Sequence, residues 1–247
     1  KRLSIKRWYS FLNFQKKNLK AVKKVISPSL SSKNDICRYF DYPSKNISVI
    51  WNGINLDDCK FHQRGSFNAN FVTIISADVP MKNLKTVLKA LYLLKQEGII
   101  AKLTIVGDLR EDNNKLIDRL GLTKEITYKS KLPRKQLIQS LNNADIGIAP
   151  SKYEGFGFPL VEMIATGLPV IVSDKASLPE LAGNAGLIFN SSDSNDLKEK
   201  MKELIENAAL RNKVAENSKL RRDDFFGWDE YAKKLEDLYK EIISGNI

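Results

Sequence analysis

Short apolar or β-branched runs alternate along this chain with longer stretches of helical periodicity. Residues 22–27, 47–51, 71–76, 102–106, 126–129, 145–149, 170–173 and 187–189 read as strands. Several are apolar almost without interruption, the pattern of strands covered on both faces. Between them, residues 82–97, 113–120, 134–142, 158–166 and 193–207 carry helical spacing. Strand–helix alternation of this kind predicts an α/β fold built on a doubly wound parallel sheet.

Local chemistry marks the boundaries. Gly98 and Gly121 stop helices, and Pro159 suits a first helical turn, where a missing N–H costs nothing. Asn52-Gly53 reads as a turn. The first 50 residues offer a helix over 3–21, a strand and a helix over 31–40, too little to enclose a core. They read as the tail end of a preceding domain. Residues 51–70 read as a linker, and 71–247 as the main domain. No internal repeat or low-complexity tract interrupts it.

Composition narrows the function classes. With 247 residues and 43% hydrophobic content, the chain is globular. No apolar run approaches the ~20 residues that span a bilayer. The absence of a signal-like segment leads us to expect a cytoplasmic protein. Cys37 and Cys59 are too few for a disulfide framework or a zinc site, and are expected as two buried free thiols. A single histidine, His62, excludes any two-histidine zinc motif. The net charge of +11 is concentrated at one end: the first 50 residues hold 12 Lys/Arg against 2 Asp/Glu. A nucleic-acid partner is therefore not expected, since the main domain is nearly neutral.

The densest chemistry lies at Glu154-Gly-Phe-Gly-Phe-Pro-Leu-Val-Glu162. It follows a predicted strand and opens a helix, the place where open parallel sheets bind ligands. The helix start near Phe158 offers unpaired N–H groups and about half a positive charge, suited to a diphosphate. Gly155 and Gly157 permit close backbone approach. Glu154, ahead of the helix, can accept from sugar hydroxyls. Glu162 lies roughly 6 Å along the helix axis, and its side chain leans back over the first turn, within reach of a ribose diol. Lys82 follows the strand at 71–76 and can point into the same crevice. Taken alone, two glutamates around a glycine turn and a lysine at a helix start are ordinary solvated residues.

The longer string EGFGFPLVEMIATGLPVIVSD (154–174) resembles the signature of retaining glycosyltransferases of family 4, which have the two-domain GT-B fold. Other segments agree in order: VIWNGI (49–54), VPMKN (79–83), LTIVGD (103–108), ADIGIAPS (144–151) and FGW (226–228). The resemblance covers about residues 20–245. It implies that Lys82 neutralises the diphosphate leaving group and acts with Glu154 in catalysis. Glu154 and the amides of Gly155, Phe156, Gly157 and Phe158 would hold the donor sugar and phosphates. Glu162 would bind the ribose, and the backbone near Lys131 and Leu132 would meet the base. The main domain would then be the donor-binding half of the GT-B fold, closed by a C-terminal crossover helix. Residues 1–50 would be a remnant of the acceptor-side domain.

The expected activity is sugar transfer, with retention, from a UDP- or GDP-sugar to a glycan or lipid-linked acceptor in cell-surface polysaccharide synthesis. No Asp-x-Asp motif occurs, so neither a metal nor a cofactor is expected. One departure stands out. The family carries arginine five residues before the lysine, and this chain has Ala77. Weak donor binding and little transfer by this chain alone are the corresponding expectations. A sugar-nucleotide epimerase of the same fold and a non-catalytic binding module are the competing readings. At the N-terminus, Lys1, Arg2, Lys6, Arg7, Lys16 and Lys17 interleave with Trp8, Tyr9, Phe11 and Phe14. Such a helix could rest on an anionic membrane, each cation adding ~1 kcal/mol. Packing of its apolar positions against a preceding domain is the blander reading, and the better one.

Overall fold

The structure, a computed structural model, describes residues 2–75, 78–130 and 132–245, with backbone alone at 2–6 and 8. It opens with α1 (Arg2–Leu19), β1 (Val25–Ser27), α2 (Leu30–Phe40) and β2 (Ile47–Val49). The strands β1 and β2 form a separate two-stranded parallel sheet. Irregular chain then leads into β3 (Asn70–Ile75), α3 (Leu84–Gln96), β4 (Lys102–Gly107), α4 (Glu111–Arg119), β5 (Ile126–Lys129) and α5 (Arg134–Asn142). Next come β6 (Ile146–Ala149), α6 (Phe158–Ala165), β7 (Val170–Ser173), α7 (Leu178–Ala182) and β8 (Gly186–Phe189). Three helices close the chain: α8 (Ser194–Glu206), α9 (Ala208–Arg221) and α10 (Trp228–Ser244).

The second sheet has six strands, all parallel, in the order β5-β4-β3-β6-β7-β8. Alternation along β3 splits the interior in two. Phe71 and Ile75 join the cluster built with α3 and α8, through Leu84, Leu88, Leu91, Leu197 and Met201. Val72 and Ile74 face the opposite cluster, with Leu141 of α5, Val161 and Ile164 of α6, and Leu178 and Leu181 of α7. All four residues of β6 and of β7 are buried, as their unbroken apolar runs require. The doubly wound sheet expected from the alternation is therefore present.

The strand order reverses between β3 and β6, and both strands run toward the same edge. Loops leaving these two strands flank a crevice, the usual ligand position in open α/β sheets.

Several details differ from the expectation. The helix expected from Lys82 begins at Leu84, because Pro80–Lys82 forms a 3₁₀ turn and Asn83 takes a left-handed conformation, φ 57°. The first strand starts at Val25 rather than Val22, which is exposed. Only Cys59 of the two thiols is buried; Cys37 is half-exposed on α2. The irregular stretch after β2 contributes to the interior. Ile54 and Cys59 are core residues, and Arg64 is half-buried.

Candidate functional site

Two loops meet at the crevice. The loop after β3 carries Lys82; the loop after β6 carries Ser151, Glu154 and the glycines. Asn83 ties them together, donating from Nδ2 to Pro150 O at 3.0 Å and to Ser191 O at 2.8 Å. The Lys152 N–H donates to Met81 O at 2.7 Å, so the two loops also pair through backbone. This bracing brings Lys82 Nζ to 2.6 Å from Glu154 Oε1, which also accepts from Ser151 Oγ at 2.8 Å. Both side chains of the ion pair are about four-fifths buried.

Beyond Glu154 the chain crosses Gly155-Phe-Gly157 and enters α6. Gly157 adopts φ 122°, a conformation that side chains rarely reach. Pro159 sits in the first turn, as expected. Among the described residues, the N–H groups of Gly155, Phe156, Gly157 and Phe158 meet no protein acceptor. Free amides at the start of a helix buried along its core face form an anion-binding concavity.

Glu162 lies one turn into α6 and is nearly enclosed. Arg134, the first residue of α5, donates to its Oε1 and also approaches Asp58 Oδ2 at 3.3 Å and Cys59 Sγ at 3.2 Å. Burial pushes the Glu162 carboxyl above its usual pKa, and the Arg134 guanidinium opposes that rise. Burial likewise pushes the Cys59 thiol up to about 11. The far end of α6 is closed by Arg64, which donates to Thr166 O, Gly167 O at 3.0 Å and Ala144 O at 2.9 Å. A cation at the carboxyl end of a helix complements its dipole.

Of the residues singled out from sequence, Lys82, Glu154 and the Gly155–Phe158 backbone come together at one point. Glu162 stands apart from them, on the Arg134 side of α6. Leu132 packs its side chain against the core. Lys131 and Ala77 lie outside the described residues. Arg134, Asn83, Arg64 and Ser151 escaped the sequence reading. Only Asn83 carried a hint, since asparagine tolerates the left-handed conformation. A cavity of about 520 Å³ lies between the starts of α3 and α4 and is lined by Asn83, Lys85, Lys89, Arg110 and Lys152 among others. Lys82, Glu154 and Glu162 do not line it. The loop is the better candidate site, because free amides and a buried ion pair are specific chemistry and surface lysines are not.

Comparison with known proteins gives the family and the fold. The family model described as "Glycosyl transferases group 1" matches residues 60–221. An MMP alpha-(1->4)-mannosyltransferase from Mycolicibacterium hassiacum is 28% identical over 97% of this chain and 59% of its own length. O-antigen chain mannosyltransferase B from Escherichia coli is 26% identical over 90% of this chain and 62% of its own. The chain thus spans about three-fifths of these relatives. Among solved structures, sucrose-phosphate synthase from Thermosynechococcus elongatus superposes with a TM-score of 0.82 at 20% identity, covering 96% of this chain and 62% of that one. Anabaena HepE, solved with UDP and glucose, superposes at 0.77 and 19% identity, covering 92% and 67%. At those identities the structural likeness speaks to the fold alone.

Proposed function

The chain belongs to the group 1 glycosyl transferases, and on that footing we propose that it is the donor-binding part of an enzyme transferring a hexose from a UDP- or GDP-sugar, with retention of anomeric configuration. The observation that carries this reading is the meeting of Lys82, Glu154 and the free amides of residues 155–158 at the switch point of the sheet. The amides and the start of α6 take the diphosphate, and Lys82 neutralises the charge that builds on it as the glycosidic bond breaks. Glu154 exchanges its contact with Lys82 for hydroxyls of the sugar. Glu162, as an anion held by Arg134, accepts from the ribose diol. The backbone at 131–132 meets the base. No metal or cofactor enters this scheme.

The acceptor is proposed as a glycan or a lipid-linked glycan of a surface polysaccharide. The printed names of several relatives, an O-antigen mannosyltransferase and a capsular polysaccharide glycosyltransferase among them, support that class. Residues 1–50 belong, on this reading, to the acceptor-side domain, and 51–70 to the linker. A cytoplasmic enzyme resting on an anionic membrane fits the cations of α1 and the exposed rings of Tyr9 and Phe14. Among the described residues no helix is long and apolar enough to cross a membrane.

The test is titration calorimetry with UDP-glucose, GDP-mannose and ADP-glucose against the chain and its Lys82→Ala and Glu162→Ala variants. Binding of one donor, lost by about tenfold or more in each variant, supports the site. A chain that binds none of the three would instead be a module with another ligand. Sedimentation with anionic vesicles, reduced by added salt, is the expected result for the membrane contact.

A further inference from the structure

The loop that carries the free amides cannot fix its own peptide orientations. Gly155 has no side chain, and a Cβ added there would have room, the nearest atom being Ser32 Oγ at 3.8 Å. Its carbonyl is nevertheless held twice. Ser29 Oγ donates to Gly155 O at 2.7 Å, and Ser32 Oγ donates to the same oxygen at 3.0 Å. Both serines stand at the start of α2, more than 120 residues away in sequence. The neighbouring carbonyls are held from the core side: Ser177 Oγ donates to Phe156 O and lies 3.2 Å from Glu154 O.

In a trans peptide the C=O and the following N–H point in opposite directions. Anchoring Gly155 O on α2 therefore turns the Phe156 N–H away from α2, and anchoring Phe156 O on Ser177 fixes the Gly157 N–H in the same manner. Given the donor reading of this loop, we propose that Ser29 and Ser32 are positioning residues: they hold the Gly155–Phe156 peptide so that its N–H faces the diphosphate. The amide site is then completed by the N-terminal segment, not by the six-stranded domain alone.

The rest of the contact is built to keep α2 in place. Glu180 of α7 accepts from the Leu30 N–H at 3.0 and 2.9 Å, from the Ser31 N–H at 3.3 Å and from Trp51 Nε1 at 2.8 Å. A carboxylate at a helix start also complements its dipole. Tyr153, one residue before Glu154, donates its hydroxyl to Asp35 Oδ2 of α2 at 3.0 Å. Ser29 itself caps α2, accepting from the Ser32 N–H at 3.0 Å.

Affinity for UDP-glucose, GDP-mannose and ADP-glucose, with the thermal midpoint, should be measured on the chain and five variants. Ser29→Ala/Ser32→Ala is expected to bind the recognised donor about tenfold more weakly, the loss typical of a misaligned hydrogen bond from the Phe156 N–H to the charged diphosphate. Ser32→Thr keeps the hydroxyl and should bind as the parent does. Asn207→Ala removes the cap of α9, and should lower the midpoint without changing affinity. Should the double variant not fold, Ser32→Ala alone, which leaves the cap of α2 intact, should still weaken binding by roughly threefold. Parent-like affinity in a folded serine variant, while Glu162→Ala loses binding, overturns the role of the serines and leaves the donor reading standing. If the parent binds none of the three donors, the donor reading falls and the role of the serines with it.

Discussion

At the scale of single residues, the contact that matters most is Arg134 on Glu162. It joins the start of α5 to the inside of α6 and reaches the irregular segment through Asp58 and Cys59. Removing it strands a carboxylate that burial already disfavours. Arg134→Ala should cost about 1–3 kcal/mol in urea denaturation. It should also raise the Glu162 pKa further, because the opposing positive charge is gone. The sign for binding follows. If Glu162 binds the ribose as proposed, the diol needs the anion, so donor affinity is full above the raised pKa and falls as acidification protonates Glu162. The loss should begin above the ordinary glutamate range, move to higher pH in Arg134→Ala, and vanish in Glu162→Gln. Affinity measured across pH 4–8 checks all three. Glu154, Glu162 and Lys82 could be singled out in the sequence only through the longer string at 154–174 and the segments that agree with it in order, since alone such residues are ordinary. Arg134 could not, since its role depends on α5 and α6 lying side by side.

At the scale of elements, α6 is fixed at both ends by residues distant in sequence. Its start is shaped by serines, and its end by Arg64. That guanidinium is half-buried, and burial lowers its pKa to about 10, so it stays charged at neutral pH. Arg64→Met should leave the carbonyls of Ala144, Thr166 and Gly167 without this donor and cost about 2–4 kcal/mol by denaturant titration. Arg64→Lys should recover only part of that, lacking the planar fork that spans several acceptors. The strands and most helices of the sheet were legible from periodicity, to within two or three residues. Helix α9 was not: its buried side chains are few, Val214 and Ser218, so no apolar stripe announces it. Asn207 both ends α8 and caps α9, which makes two helices where the sequence suggested one.

At the scale of the whole molecule, the segment entering the large sheet and the helix leaving it touch at one crossing. Ile54 N donates to Phe226 O at 2.9 Å, and a Cβ on Gly53 would lie 2.8–2.9 Å from the backbone of Gly227 and Trp228. Gly53→Ala must therefore spread the crossing. A destabilisation of about 1–3 kcal/mol is expected, with tryptophan fluorescence reporting the shift of Trp228 against Phe158. This crossing was only half legible: Asn52-Gly53 announced a turn, but nothing in sequence said what packs against it. The two thiols sit in unequal settings. Cys59, fully buried with its pKa pushed up to about 11, is almost wholly protonated at pH 8, whereas Cys37 is half-exposed. Brief iodoacetamide treatment of the native protein should label Cys37 alone, by peptide mass. Alkylation of Cys59 then becomes a clock for opening of the linker beside Glu162, one that needs no engineered label and that a bound nucleotide should slow.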